Sequence, residues 1–309
     1  MEYGLDIRGA EGNSALIAIV GRPNVGKSSI LNRLLGQKVA IVSRKPQTTR
    51  TRIMGVLTVE EDQMVFMDTP GLLKPRNPLG DYMVKSVTST VAGVDACLLV
   101  TEAGAPVSKA DEDLIRRFRE AGAPAVLAIN KIDLLPDKER LMGQIAAYSG
   151  LYDFRAVVPV SARDGNGMDG LLAELRGLTV PGGWLFDEDM VTDQPEQVIA
   201  AELVREKVLR LLDQEVPHGV AAVTEHMEEE GETLTLHVTL YCEKQSHKGI
   251  LIGKGGQMLK KIGTLARVDL EKFFGCRINL QLWVKVKEDW RQRPQTLQGF
   301  GFSEQNLEM

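Results

Sequence analysis

The run Ala15 to Val20 is apolar throughout, and it leads straight into Gly21-Arg22-Pro23-Asn24-Val25-Gly26-Lys27-Ser28 and then into the helix-like Ser29 to Leu35. A buried strand, a glycine-bearing loop and a helix start, in that order, make backbone N–H groups converge on an anion at the positive end of the helix. Such a seat fits a nucleotide polyphosphate. Lys27 would meet the β- and γ-phosphates as a point charge, and the Ser28 hydroxyl would be a ligand of the Mg²⁺ that bridges them. Gly21, Asn24, Val25, Gly26 and Ser29 complete the cradle. The same residues would also suit an ordinary strand-turn-helix, so the remaining motifs have to decide.

A loop of this kind belongs in an open α/β sheet, and the pattern downstream fits one. From Ala15 to about Thr179, the strand-like runs Leu16 to Val20, Gln63 to Met67, Ala96 to Val100, Ala125 to Ile129 and Ala156 to Val160 alternate with helix-length segments. That alternation predicts an α/β fold, a mostly parallel sheet covered by helices on both faces. Four runs end in polar clusters: Gly21 onward, Asp68-Thr69-Pro70-Gly71, Asn130-Lys131-Ile132-Asp133 and Ser161-Ala162-Arg163. Ligands of such sheets bind at the carboxyl ends of the strands, so the four clusters should meet in one pocket. With 309 residues, 43% of them apolar, the chain has room for about two domains with separate cores. Cys97, Cys242 and Cys276 lie far apart, which points to reduced thiols in a cytoplasmic setting rather than a disulfide framework or a zinc site. The apolar runs are too short to span a bilayer, and the N-terminus lacks a basic stretch followed by an apolar one.

Asp68 closes a strand where its carboxylate can hold Mg²⁺, and the Gly71 amide stands where it can sense a γ-phosphate, with Thr69 and Pro70 in the same nucleotide contact. Thr49, in the loop Ser43 to Arg52, can offer its hydroxyl to the metal only while the γ-phosphate is present. Hydrolysis would release that loop and the segment from Leu72 to about Lys85, making a two-state switch. Judged alone, Thr48-Thr49 also fits as a pair of turn threonines. Asp133 selects the base. Its carboxylate can accept both guanine N1–H and the exocyclic amino group, whereas adenine would leave a buried charge unpaired. This argues against a P-loop kinase or ATPase. Asn130 would contact the base and tie loops together, Lys131 would lie along the base plane through its stem, and the Ala162 N–H would donate to the guanine oxygen, flanked by Ser161 and Arg163.

Thr179 to Trp184, then Asp187-Glu188-Asp189 and Asp193-Gln194-Pro195, have the turn formers and charge of a connector. Pro195 to Asp213 returns to helical spacing, with Val198, Leu203, Val208 and Leu211 as core positions. Strand-like runs follow at Gly219 to Thr224 and Thr233 to Tyr241, around an acidic Glu228-Glu229-Glu230-Gly231 turn. A helix from about Gln257 to Phe274 and a strand Arg277 to Val286 complete a smaller α+β unit. The net charge of −5 hides a segregation, acidic from Asp187 to Glu232 and basic from Cys242 to Arg293. Gly253-Lys254-Gly255-Gly256 lies in the basic part. Between two helical segments, a Gly-x-x-Gly loop lets an RNA backbone come close, with helix N-terminal amides and Lys254 meeting phosphate. Lys260 and Lys261 add charge, and Ile250, Leu251 and Ile252 would floor a groove for single-stranded bases. Trp283 reads as core rather than as a stacking platform, while His218, His226, His237 and His247 show no metal or catalytic spacing.

In order and spacing, Gly21 to Ser28, Thr49, Asp68 to Gly71, Asn130 to Asp133 and Ser161 to Arg163 resemble the translation-factor-related GTPases. From about Ala15 to Phe302, including the connector around Trp184 and Leu282-Trp283-Val284-Lys285-Val286-Lys287, the chain is similar to the bacterial Era GTPases, whose C-terminal domain is a KH-type RNA-binding module. The resemblance implies a P-loop GTPase domain over 15–180 and a KH-type domain over 196–302, joined by the connector over 181–195; outside it fall 1–14, polar and without a period, which reads as a flexible leader, and a tail over 303–309. It implies a GTP/GDP switch that uses Mg²⁺, hydrolyses GTP slowly and binds single-stranded ribosomal RNA near the 3′ end of the small-subunit rRNA. Its expected role is assembly of the 30S ribosomal subunit, as a monomer in the cytoplasm, with peripheral association at the membrane surface a further expectation. Leu72 stands where Ras-like proteins carry the water-orienting glutamine, and an aliphatic side chain cannot polarise water. Asn24 matches an asparagine that, in related GTPases, helps bind a K⁺ ion acting like an arginine finger. The catalytic set is then Lys27, Thr49, Gly71 and Asn24, with Ser28, Thr49 and Asp68 on the metal; Arg22 and Arg50 are alternative cationic helpers, though they read rather as solvated surface arginines. The rival from another class is an RNA chaperone or tether that uses GTP only as a structural ligand.

Overall fold

Strand parity gives the sheet two buried faces. In β1 (Asn13–Val20), Ile17 and Ile19 point to one side, and Ala18 and Val20 to the other, as the two-residue period of an extended chain requires. The computed structural model describes residues 12–43, 45, 48–71, 77–135 and 138–302. After β1 come α1 (Lys27–Leu35), β2 (Ile53–Val59), β3 (Asp62–Asp68), α2 (Pro78–Ala92), β4 (Ala96–Glu102), α3 (Lys109–Ala121), β5 (Ala125–Asn130), α4 (Lys138–Ser149), β6 (Ala156–Val160), α5 (Met168–Arg176) and the short β7 (Val180–Pro181). The sheet order is β2-β3-β1-β4-β5-β6, parallel from β3 to β6, with β2 antiparallel at one edge and β7 antiparallel to the start of β1. α1 and α5 cover the Ile17/Ile19 face through Ile30, Leu31, Leu171 and Leu175; α2, α3 and α4 cover the other through Val87, Leu114, Phe118 and Tyr148. Strand order reverses at β1, which has β3 on one side and β4 on the other, so the loop after β1 opens where ligands of such sheets bind.

Three features of this half differ from the expectation. β2 escapes the strand-helix alternation because it is the antiparallel partner of a hairpin with β3, joined by Glu60 and Glu61, with Glu60 at φ 56°. Asn13 and Ser14 belong to β1 and pair with Pro181 and Val180, so the leader ends earlier than residue 14 among the described residues. The segment 181–195, read from the sequence only as a connector, is packed on the first sheet. The wholly buried Gln63 accepts the Leu185 and Phe186 N–H groups at 2.8 and 2.9 Å, which satisfies an amide that would otherwise be costly to bury. Leu185, Phe186 and Met190 close over Met54, Val56 and Val65.

The second unit is α6 (Glu196–Leu211), β8 (Ala221–Glu230), β9 (Thr233–Cys242), α7 (Gln245–Ile252), α8 (Gln257–Phe274), β10 (Arg277–Val286) and α9 (Pro294–Gly299). Its sheet runs β10-β9-β8, with β9 and β10 parallel and β8 antiparallel. Leu203, Val208, Leu251, Ile262 and Leu270 of the helices pack on Leu236, Val238 and Leu240 of β9. Glu228, Glu229 and Glu230 lie in β8 and are not the turn, which falls at Gly231 (φ 61°) and Glu232; an exposed edge strand tolerates charge. Val198, on the first turn of α6, is exposed. Trp283 is 41% exposed and not core. It shares strand parity with Gln281 and Lys285 on the sheet face turned from the helices, where its ring meets His237 at 5.0 Å. The two units meet through Leu79, Tyr82 and Met83 of α2, packed with Ala221, Trp290 and Leu297. Pro78 onward is thus helix, capped by Asn77 Oδ1 accepting from the Gly80 N–H at 2.9 Å, while residues 72–76, including Leu72, lie outside the described residues, as do 303–309.

Candidate functional site

The loop after β1 demands its glycines. Gly21 sits at φ 147° and Gly26 at φ 101°, and a Cβ on either would stand 2.3 Å from the Val100 carbonyl oxygen or 2.2 Å from Asn130 Nδ2. α1 begins at Lys27 with Gly26 as its N-cap, so its first amides open into the loop. Lys27 is buried and folds back, donating from Nζ to the Gly21 and Arg22 carbonyls, both at 3.1 Å. Burial pulls its ammonium down from 10.5 to about 8, with Asp68 opposing. Asp68 is wholly buried at the end of β3, and burial lifts its carboxyl from 3.8 to about 6 against Lys27 and the Ser28 and Thr49 hydroxyls. Ser28 Oγ lies 2.5 Å from Asp68 Oδ2 and 3.0 Å from Thr49 Oγ1. Asp68 Oδ1 has no hydrogen-bond partner among the described residues. Two hydroxyls, one carboxylate with a spare buried oxygen and an ammonium form a donor set suited to a hard cation and a polyphosphate.

At the other end, Asn130 closes β5 and joins two loops. Its Nδ2 donates to the Val25 carbonyl at 2.8 Å, and its Oδ1 accepts the Ala162 N–H at 3.1 Å. That amide is the one the sequence assigned to the guanine oxygen, and here it is oriented by Asn130. Asp133 Oδ1 accepts from Ser161 Oγ at 2.9 Å, and its Oδ2 lies 3.5 Å from the exposed Arg163 guanidinium. Lys131, at φ 69°, anchors its ammonium on Glu102 at 2.6 Å and lines the cleft. One cleft of about 1410 Å³ is bordered by Asn24, Gly26 to Ser29, Thr49, Gly71, Asn130, Lys131, Asp133, Ala162 and Arg163. Gly21, Val25, Asp68, Thr69, Pro70 and Ser161 lie buried behind it. Thr69 is structural: its hydroxyl donates to the Ile19 carbonyl at 3.0 Å, fastening β3 to β1.

Neither Arg22 nor Arg50 is a solvated surface arginine. Arg22 pairs with the buried Asp111 at 3.4 Å. Arg50 is 3% exposed; it donates to the Val220 and His218 carbonyls at 2.7 and 2.8 Å and lies 5.6 Å from the centre of the Trp290 ring. On the other side of Thr49, the Thr48 carbonyl accepts from Arg205 of α6. Glu206, wholly buried, accepts the Val42 N–H at 2.9 Å and Lys38 Nζ at 2.7 Å. Although burial alone would raise it, hydrogen bonds from Lys207, Lys38 and that amide hold its carboxyl below the usual range. Leu209, Arg210 and Asp213 form the far wall of the cleft. These residues escape a reading of the sequence because Glu202-x-x-Arg205-Glu206-Lys207-x-x-Arg210 has the charge pattern of a solvated helix face.

On the second unit, Gly253, Gly255 and Gly256 take φ of 72°, 58° and 79° between α7 and α8, and Lys254, Lys260 and Lys261 are exposed beside them. A Cβ on Gly253 would meet Met258 Cβ at 2.8 Å, whereas space around Gly255 and Gly256 is open. Ile250 is exposed and Ile252 half-buried, but Leu251 is wholly buried in the core under β9 and cannot floor a surface groove. Helix periodicity turns consecutive residues about 100° apart, so the three cannot share one face.

A family model described as "50S ribosome-binding GTPase" matches residues 16–131, and one described as "KH domain" matches residues 215–291. The GTPase Era of Ruminiclostridium cellulolyticum is 48% identical, over 94% of this chain and 97% of its own. The chain belongs to the GTPase Era family. GTPase Era of Clostridium acetobutylicum is 45% identical over 94% of this chain and 97% of its own. A crystal structure of Aquifex aeolicus Era bound to GDP·AlF4⁻ matches with TM-score 0.90 at 36% identity, covering 94% of this chain and 99% of that one. An Era structure in complex with MgGDPNP and nucleotides 1506–1542 of 16S ribosomal RNA matches with the same values. As an Era GTPase, the chain hydrolyses GTP. Among its described residues no helix is long and apolar enough to cross a membrane.

Proposed function

We propose that this Era GTPase holds Mg²⁺-GTP in the cleft at the strand tips and single-stranded small-subunit ribosomal RNA at the Gly253–Gly256 loop, and acts in assembly of the 30S subunit. The observation that carries the nucleotide site is the meeting of Ser28, Thr49 and Asp68 within hydrogen-bond distance, with a buried carboxylate oxygen left over and Lys27 beside it. Mg²⁺, when bound, supplies the positive charge that bridges and neutralises the phosphates. Lys27 gives up its two carbonyl partners for phosphate oxygens, and the first amides of α1 face the same anion. Gly71 packs on Pro23, so its amide is set by the phosphate loop. Asp133, oriented by Ser161, selects guanine, and Asn130 keeps the base end and the phosphate end in register. Asn24, at φ 66° on the cleft, is the residue suited to recruit K⁺.

The RNA reading is supported by the exposed lysines around a glycine loop whose backbone is open to a phosphate chain, and by the complex of an Era relative with 16S ribosomal RNA. The protein acts as a monomer, and the same basic face would carry any contact with an anionic membrane surface. Phosphate release from GTP, measured in K⁺ and then in Na⁺ with and without RNA of the small-subunit 3′ end, tests the whole reading. Turnover should be faster in K⁺ and rise with RNA, and Asn24→Ala should erase the K⁺ advantage. Equal rates in the two salts would remove Asn24 from the catalytic set, and equal affinity for ATP and GTP would remove Asp133 from base selection.

A further inference from the structure

Asp111 stands at the N-terminus of α3, inside a capping box with Ser108, yet it is wholly buried. Its Oδ2 accepts the Ser108 N–H at 3.0 Å and the Ser108 hydroxyl at 2.7 Å. The same oxygen accepts the Tyr148 hydroxyl at 3.1 Å, and Tyr148 meets Thr101 Oγ1 at 3.0 Å. A capping box needs only the serine. The extra hydrogen-bond partner is Tyr148 of α4, itself tied to Thr101 of β4, and in front of the carboxylate is Arg22, with Nε at 3.4 Å from Oδ2. A carboxylate buried without a countercharge is strongly unfavourable, and among the described residues Arg22 is the cation that forms an ion pair with it.

Arg22 is also the second residue of the phosphate loop. Its carbonyl accepts Lys27 Nζ at 3.1 Å. The next residue, Pro23, is the one on which Gly71 packs, a Cβ there falling 2.7 Å from the Pro23 N and Cα. The loop is built on three positive-φ residues, Gly21, Asn24 and Gly26. Such a backbone is set by what holds its ends.

We propose that Asp111 is a positioning residue for GTP, holding through Arg22 the flank of the phosphate loop that places Lys27 and Gly71. This rests on the reading of the loop as the phosphate cradle. The ion pair joins α3 to the loop, and Tyr148 ties α4 to the same carboxylate, so the cradle keeps its shape before a nucleotide arrives.

The test measures the affinity of the full-length protein for a fluorescent GDP and for a non-hydrolysable GTP analogue, both with Mg²⁺. Asp111→Asn and Arg22→Gln should each weaken binding about tenfold, and the double variant should be no weaker than either single one. Arg22→Lys, which keeps the charge, should recover most of the loss. Ser108→Ala removes a partner of the same carboxylate without touching the ion pair, so it should lower the melting temperature and leave affinity unchanged. Losses that multiply in the double variant, or an Arg22→Gln protein that binds like wild type, would overturn the proposal. Should Asp111→Asn not fold, the two Arg22 variants decide it. Wild-type protein that binds no guanine nucleotide would instead refute the reading of the cradle.

Discussion

At neutral pH the nucleotide-free cleft holds two charges that burial opposes, Asp68 at about 6 and Lys27 at about 8. With Asp68 on the metal and Lys27 on the phosphates, as proposed above, Mg²⁺-GTP would need the carboxylate ionised and the ammonium protonated, so apparent affinity should follow the fraction of molecules in which both conditions hold. That fraction is about 80% at pH 7 and about 9% at pH 5 or pH 9, which predicts a bell with binding about ninefold weaker on either side. The assay is equilibrium titration with a fluorescent GTP analogue from pH 5 to 9, on wild type and on Asp68→Asn. Nucleotide phosphates titrate near pH 6 themselves. The difference between the two proteins therefore reports Asp68, and the acid limb should flatten in the variant and in chelator. An acid limb of equal depth in both proteins would refute the assignment. Stability should move in step. A carboxyl raised from 3.8 to about 6 stabilises the fold fully below 3.8, and that contribution is lost as pH rises through 6, a swing of about 3 kcal/mol. Lys27, lowered from 10.5 to about 8, penalises the fold below 8 and regains stability as pH rises toward 10.5. Both penalties therefore coincide between pH 6 and 8, where Mg²⁺-GTP relieves them.

Gly71→Ala would drive a methyl into the Pro23 backbone, and we expect GTP turnover to fall on the order of 10–100-fold while GDP affinity stays within about twofold, measured by phosphate release and by titration. Arg205→Gln removes the grip on the Thr48 carbonyl and should cost about 1–3 kcal/mol of stability and narrow the preference for GTP over GDP. A lower melting temperature with an unchanged GTP/GDP ratio would show that the grip does not reach Thr49. Gly255→Asp puts a carboxylate into open space at φ 58° beside Lys254; RNA retention on a filter should vanish while GTP binding is untouched, and intact RNA binding would displace the proposed contact.

The cleft at the strand tips is legible because the clusters that form it are local. Each cluster is a few residues at a strand end, and the sheet topology that gathers them follows from the alternation of strands and helices. The partners of the loop around Thr49 are not local. Arg50 to Val220 and Arg205 to Thr48 join residues more than 150 apart in sequence, and the arginines involved have the composition of surface residues. Burial alone tells a structural guanidinium from a solvated one. β2 is missed for a topological reason, since a hairpin breaks the rule that a helix follows each strand. Trp283 is a different kind of error. Counting parity from the buried Val284 would have placed it outside, but an aromatic residue in a strand invites assignment to the core.

Thr48 and Arg50 are moored to elements of the C-terminal half, leaving a single residue between the two fastenings. Because α6 holds the Thr48 carbonyl through Arg205, and Val220 and His218 hold Arg50, Thr49 has no slack of its own between them. For anyone trimming this protein, a cut after Pro195 would take away Arg205 together with the Val220 and His218 carbonyls, and with them every one of these fastenings on either side of Thr49.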